Sequence, residues 1–81
     1  MLLLFDIGNT NTHLGLANDA RVFKQASVPT RGWFDGSAGR RVEHFTRNNK
    51  INGVALCSVV PRVTLLVRRL VKQSWRLKAL N

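Results

Sequence analysis

The sequence predicts a small α/β domain whose elements follow the order strand, strand, strand, helix, strand, helix. Two apolar runs, residues 2–5 and 51–60, have the length and composition of buried strands. A polar segment containing a glycine follows the first run and turns the chain back. An amphipathic pattern with helical period begins at Pro61 and continues nearly to the end of the sequence.

The first three strands are predicted to form two successive hairpins. Residues 2–5 are continuously apolar, which is typical of a strand buried on both faces. The second strand covers residues 13–17, a turn follows at Asn18 and Asp19, and residues 21–26 form the third strand. Hairpin connections make these three strands antiparallel.

A loop and a short helix are predicted to lead to the fourth strand. Residues 27–39 contain four breakers, so we expect a loop there. Val42 and Phe45 stand at helical spacing and indicate a helix over residues 37–48, with Ser37 as its cap. This helix can carry the chain across so that residues 51–60 lie parallel to the first strand, where Cys57 is expected in the core.

The second helix has an apolar arc and a basic face. The arc contains Val63, Leu66, Val67, Leu70, Val71, Ser74 and Leu77, and the basic face contains Arg62, Arg68, Arg69, Lys72 and Arg76. With Trp75 nearby, the basic face raises the alternative of binding to nucleic acid or to an acidic membrane surface. We favour a solvated outer helix face, because the sequence has no recognised nucleic-acid-reading motif.

Length and charge limit the classes of function. Eighty-one residues form one domain, 1–81, and a chain this short is rarely a complete enzyme. The net charge is +9, and all four acidic residues precede residue 44. This asymmetry favours an anion-binding face or a chain whose balancing half is missing. A single cysteine, no signal peptide and no membrane span predict a soluble cytoplasmic protein.

The segment after the first strand carries the strongest chemical pattern. Gly8 allows backbone N–H groups to approach a phosphate, and Asn and Thr side chains add donors. Asp6 would repel phosphate unless Mg²⁺, bound directly or through water, lies between them. The alternative is a plain hairpin turn in which these side chains bond to local backbone groups. His13 and His44 belong to no cluster with metal-ligand spacing.

Two stretches resemble type III pantothenate kinases, which belong to the superfamily of sugar kinases, heat-shock ATPases and actin. Residues 3–12, Leu-Leu-Phe-Asp-Ile-Gly-Asn-Thr-Asn-Thr, with Leu14-Gly15-Leu16 after them, are similar to the opening of that family. Residues 51–61, ending in Ser-Val-Val-Pro, resemble its next strand and the start of a helix. The two matches stand in the family's order, at about its separation.

The resemblance implies the N-terminal part of a ribonuclease-H-like half domain. It implies transfer of the ATP γ-phosphoryl group to pantothenate, the first step of coenzyme A biosynthesis. The expected cofactors are ATP, Mg²⁺ held by Asp6, and a monovalent cation, K⁺ or NH₄⁺, whose site lies outside this chain. The implied ATP-phosphate residues are Asp6, Ile7, Gly8, Asn9, Thr10, Asn11, Thr12 and His13.

Several family features are absent from the 81 residues. The Gly-x-Asp-Arg segment with the catalytic aspartate, the second phosphate turn and the adenosine site are missing, so we expect catalytic residues beyond residue 81 and an inactive fragment. Residues 27–43 also depart from the family pattern. A further alternative is a non-catalytic interaction module of a split kinase. An open sheet edge beside residues 51–60 would then favour a homodimer.

Overall fold

The computed structural model describes residues 1–80 as a four-stranded sheet with two α-helices and one 3₁₀ helix. The elements are β1 (Leu2–Ile7), β2 (Asn11–Ala17), β3 (Val22–Pro29), a 3₁₀ helix (Thr30–Trp33), α1 (Ser37–Phe45), β4 (Gly53–Ser58) and α2 (Pro61–Trp75). Apart from the 3₁₀ helix, this order confirms the predicted sequence of strand, strand, strand, helix, strand and helix.

The sheet order is β3-β2-β1-β4. β1 pairs antiparallel with β2 and parallel with β4, and β2 pairs antiparallel with β3. This topology confirms the predicted strand directions, and it fits a ribonuclease-H-like half domain. The α1 crossover places the carboxyl ends of β1 and β4 at the same edge of the sheet.

The core lies on one face of the sheet. Alternate residues of β1, β2 and β4 point into it, and both helices cover them. Val63, Val67 and Val71 of α2 are fully buried, as the helical period predicts. The largest buried strand residues of this face are Leu3, Phe5, Ile7, Leu14, Leu16 and Leu56.

The second face of the sheet corrects two predictions. Leu2 is 40% exposed, so β1 is not buried on both faces, and the Cys57 side chain is exposed rather than part of the core. Both apolar runs predicted burial on two sides. In residues 1–80, however, both helices pack on the same side, and every second strand residue points away from them.

The segment between β3 and α1 also differs from the prediction. β3 continues to Pro29 and the 3₁₀ helix follows, so the expected loop is shorter. Ser37 does not cap α1, because the N-cap position is Gly36, with a left-handed φ of 85°. The Ser37 N–H instead donates to Asp35 Oδ1 at 2.9 Å. Hydrogen bonding to the side chain and backbone of Ser37, with the nearby Arg40 charge, lowers the pKa of Asp35.

The edge beside β4 is partly occupied by the chain itself. Leu80 forms a parallel bridge with Ala55, donating from its N–H to Val54 O at 2.9 Å and accepting from Leu56 N–H at 2.7 Å. The expected open edge is therefore covered at these residues. A homodimer stays a prediction.

Burial on the helix-covered face makes a testable prediction about stability. Leu16 is fully buried, so Leu16→Ala is expected to lower the free energy of unfolding by about 2–5 kcal/mol. The matched control is Leu65→Ala on α2, where the side chain is 66% exposed and the expected change is within about 0.5 kcal/mol. Urea denaturation measures both. Equal losses for the two variants would contradict the assignment of the core to this face.

Candidate functional site

The candidate site is the turn between β1 and β2, residues 8–10, which we call the β1–β2 turn. It lies at the carboxyl end of β1. Because β4 runs parallel to β1, its carboxyl end and the start of α2 lie at the same edge of the sheet. Ligands of α/β sheets bind at the carboxyl ends of the strands.

The carbonyl groups of the β1–β2 turn are held from inside the protein. Gly8 N–H donates to Asn11 O at 3.0 Å, and Thr30 donates from its N–H to Thr10 O at 2.9 Å and from its hydroxyl to Gly8 O at 2.7 Å. A Cβ at Gly8 would lie 3.1 Å from Asn11 O, a tight contact with the backbone that favours glycine. Within residues 1–80, the N–H groups of Asn9 and Thr10 donate no hydrogen bond.

The polar side chains of the β1–β2 turn are free within the described chain, and those of the second hairpin turn are not. Asn18 Oδ1 accepts from the N–H groups of Ala20 and Arg21 at 2.9 and 3.0 Å, which is an ordinary Asx turn. Across residues 1–80, the side chains of Asn9, Thr10 and Asn11 have no such partner. The plain-turn alternative therefore describes the β2–β3 connection and does not describe the β1–β2 turn.

Asp6 is an exposed carboxylate near the end of β1, and Ile7 separates it from the β1–β2 turn. Its cross-strand neighbours in register are His13 on β2 and Cys57 on β4. No group of three or more His, Cys, Asp or Glu in residues 1–80 is arranged to hold a metal ion. Mg²⁺ commonly uses one or two carboxylates together with substrate phosphates and water, so a lone Asp6 fits Mg²⁺ that arrives with a nucleotide.

Two of the predicted site residues lie inside the protein. Ile7 is in the core, and Thr12 is fully buried on the helix-covered face, so its hydroxyl is not open to solvent. Asp6, Asn9, Thr10, Asn11 and His13 are exposed, and Gly8 is half-buried. The structure thus exposes most of the predicted residues and buries Ile7 and Thr12.

Thr12 belongs to a buried chain of hydrogen bonds. Trp33 Nε1 donates to Thr12 Oγ1 at 3.1 Å, and the hydroxyls of Thr12 and Thr30 are 3.0 Å apart. Because the single hydroxyl proton of Thr30 is given to Gly8 O, Thr12 must be the donor in this pair. The direction of donation therefore runs from Trp33 through Thr12 and Thr30 to Gly8. We call this the Trp33–Gly8 chain.

Arg31 is a candidate that the sequence did not reveal. A hollow of about 380 Å³ is lined by Asn9, Thr10, Asn11, Pro29 and Arg31, so a guanidinium lies beside the β1–β2 turn. The composition of residues 27–39 predicted a loop, and a predicted loop does not indicate which residues Arg31 lies beside. An arginine that lines this hollow would supply charge complementarity for an anion.

The other sequence candidates lie elsewhere. His44 is on α1, far along the chain from His13 and in no metal-ligating group within residues 1–80. On α2, Arg62, Arg69, Lys72 and Arg76 are exposed, but Arg68 is half-buried and donates to Ala79 O at 2.8 Å. Neither helix of the described residues has the length and apolar character of a membrane span.

Comparison with known proteins points to one family. The sequence model of type III pantothenate kinases matches residues 2–81. The type III pantothenate kinase of Parafrankia sp. (strain EAN1pec) is 37% identical over 84 aligned residues. The match covers 93% of this chain, and the chain spans 30% of that relative's length.

The Trp33–Gly8 chain predicts the effect of removing one hydroxyl. Thr12→Val keeps the shape but leaves the Trp33 N–H without an acceptor and removes the donor to the Thr30 oxygen, while the Thr30 hydroxyl still donates to Gly8 O. We expect a loss of about 1–3 kcal/mol in the free energy of unfolding. The indole N–H resonance of Trp33 should also move. Thr12→Ser retains the hydroxyl and should leave that resonance nearly in place. An unshifted indole resonance in Thr12→Val would disprove the hydrogen bond.

Proposed function

The chain belongs to the type III pantothenate kinase family, and we propose that it forms the ATP-phosphate-binding part of a pantothenate kinase. The proposed reaction transfers the γ-phosphoryl group of ATP to the primary hydroxyl of pantothenate, in coenzyme A biosynthesis. The observation that carries the proposal is the β1–β2 turn, in which the carbonyls of Gly8 and Thr10 accept from Thr30 while the N–H groups of Asn9 and Thr10 have no partner in residues 1–80.

Each exposed part of the turn has a proposed role. The N–H groups of Asn9 and Thr10 bind phosphate oxygens, and the side chains of Asn9, Thr10 and Asn11 add donors. Gly8 keeps the backbone close enough for this contact, since a Cβ there would press on Asn11 O. Arg31 neutralises phosphate charge from the side of the hollow that it lines with the turn.

Asp6 is proposed to hold Mg²⁺, directly or through water. When bound, Mg²⁺ neutralises charge on the phosphates of ATP. Asp6 lies within β1, whose other side is packed in the core, so the position of its Cα is fixed by the sheet. His13 lies beside Asp6 in the register, and we propose that it flanks the nucleotide without binding metal.

The proposal divides activity between this chain and other segments of a family-length protein. Phosphoryl transfer requires the nucleophile, the metal and the nucleotide to be held together. The residues of this chain are proposed to bind the phosphates only, and the chain spans 30% of the matched relative. We therefore propose that the 81 residues by themselves bind nucleotide phosphate without turnover. A cytoplasmic homodimer that uses K⁺ or NH₄⁺ is part of the same proposal for the whole enzyme.

A pair of aspartate variants tests the role of Asp6. In a family-length kinase that carries this chain, Asp6→Asn is expected to lower kcat for pantothenate phosphorylation by roughly 100-fold or more, because one charge at the phosphates is lost. Asp19→Asn makes the same chemical change in the β2–β3 turn, at the opposite end of the sheet, and should leave kcat unchanged. A coupled assay of ADP release measures both. Normal turnover by Asp6→Asn would remove Asp6 from the mechanism.

The 81-residue chain offers an independent test of phosphate binding. Addition of ATP with Mg²⁺ should shift the backbone amide resonances of Asn9 and Thr10 in a saturable way. In the control variant Asp19→Asn, ATP with Mg²⁺ should shift these two resonances by the same amount. If these two amides do not respond in the chain or in the family-length protein, the β1–β2 turn is not the phosphate site.

A further inference from the structure

A second hollow lies between β3 and α1, apart from the β1–β2 turn. Its volume is about 430 Å³, within the range of small-molecule sites. Its apolar lining comes from Leu14, Ala26, Val28 and Phe45. None of these residues takes part in the proposed ATP site. We call this hollow the β3–α1 pocket.

The polar lining of the β3–α1 pocket contains three cations. Lys24, Arg40 and Arg41 line it together with Ser37 and His44, and none of the four acidic residues of the sequence does. Asp35 interacts with Arg40, and it therefore offsets part of that charge. Lys24 and Arg41 still supply two permanent positive charges beside an apolar floor.

Lys24 is held in place before any ligand arrives. Its Nζ donates to Phe45 O at 2.8 Å, at the last residue of α1, and lies 4.8 Å from the centroid of the Phe45 ring. The helix carboxyl end and the ring face both attract a cation. An ammonium has three N–H donors, so two remain for an anion. Prior fixation reduces the loss of side-chain entropy on binding.

We propose that the β3–α1 pocket binds a small organic anion with an apolar body, such as an alkyl phosphate or carboxylate. The apolar body would cover Ala26, Val28 and Phe45, and the anionic group would lie between Lys24 and Arg41. The pocket differs from a merely basic surface, because Lys24 and Arg41 lie beside the apolar side chains of Ala26, Val28 and Phe45. The proposal goes beyond the kinase function and does not depend on it.

Three probes separate the contribution of the anionic group from that of the apolar body. Hexyl phosphate carries both the charge and the apolar chain, inorganic phosphate carries only the charge, and hexanol carries only the chain. In ¹⁵N-labelled 81-residue protein, hexyl phosphate should shift the amides of Lys24, Ala26, Arg41 and Phe45 in a saturable way. Its dissociation constant should be roughly tenfold lower than that of either partial probe.

Matched variants decide between a pocket and general attraction to a basic protein. Arg41→Gln should weaken hexyl phosphate binding roughly two- to fivefold. Arg69→Gln removes the same charge from the exposed face of α2 and should have no effect. Ala26→Leu keeps every charge but fills the pocket, and should abolish the shifts while the protein stays folded by circular dichroism.

Several results would overturn the proposal. They are equal affinity in Ala26→Leu, equal weakening by Arg41→Gln and Arg69→Gln, or no saturation of the pocket amides up to about 10 mM. Shifts confined to residues 9–11 would also overturn it, and would place the anion at the β1–β2 turn instead. The failure of this pocket is thereby distinguished from the failure of the proposed ATP site.

Discussion

The hydroxyl of Thr30 connects the fold to the candidate site. It donates to Gly8 O at 2.7 Å and accepts from Thr12, which accepts in turn from Trp33. Trp33 also packs edge-to-face on Phe5, with ring centroids 6.0 Å apart. The chain of donors therefore joins β2 and the 3₁₀ helix to the β1–β2 turn, and the ring contact adds β1. Because a buried donor or acceptor without a partner is costly, these elements are held in one relative position.

This interior bonding determines what the β1–β2 turn presents to solvent. When the carbonyls of Gly8 and Thr10 accept from Thr30, the turn does not need its own side chains to satisfy them. The β2–β3 turn lacks that support and uses Asn18 for its own backbone. Because Thr30 stabilises the turn from inside the protein, the N–H groups of Asn9 and Thr10 remain available to a ligand. The hydroxyl of Thr12 thus contributes to the site by position, although the sequence predicted direct contact.

The sequence predicted those features that depend on local pattern. The 3.6-residue period around Val63, Val67 and Val71, and the position of Pro61, define α2, and the apolar runs define β1 and β4. Features that depend on distant contacts were not predictable. Trp33 lies 21 residues from Thr12, and no local signal joins them. Cys57 was placed in the core because an apolar run does not show which face a helix will cover.

The distribution of positive charge weighs against reading the net charge of +9 as one nucleic-acid surface. Such a surface needs Lys and Arg clustered on one face. Here Lys24 is bound to the end of α1, and Arg68 donates to Ala79 O. Arg31 lies at the β1–β2 turn, and Arg41 lines the β3–α1 pocket. Cations separated in this way, each beside its own hollow or carbonyl, suit small anions better than a continuous duplex backbone. In our two proposals, Arg31 and the pair Lys24 and Arg41 would each serve a separate small anion.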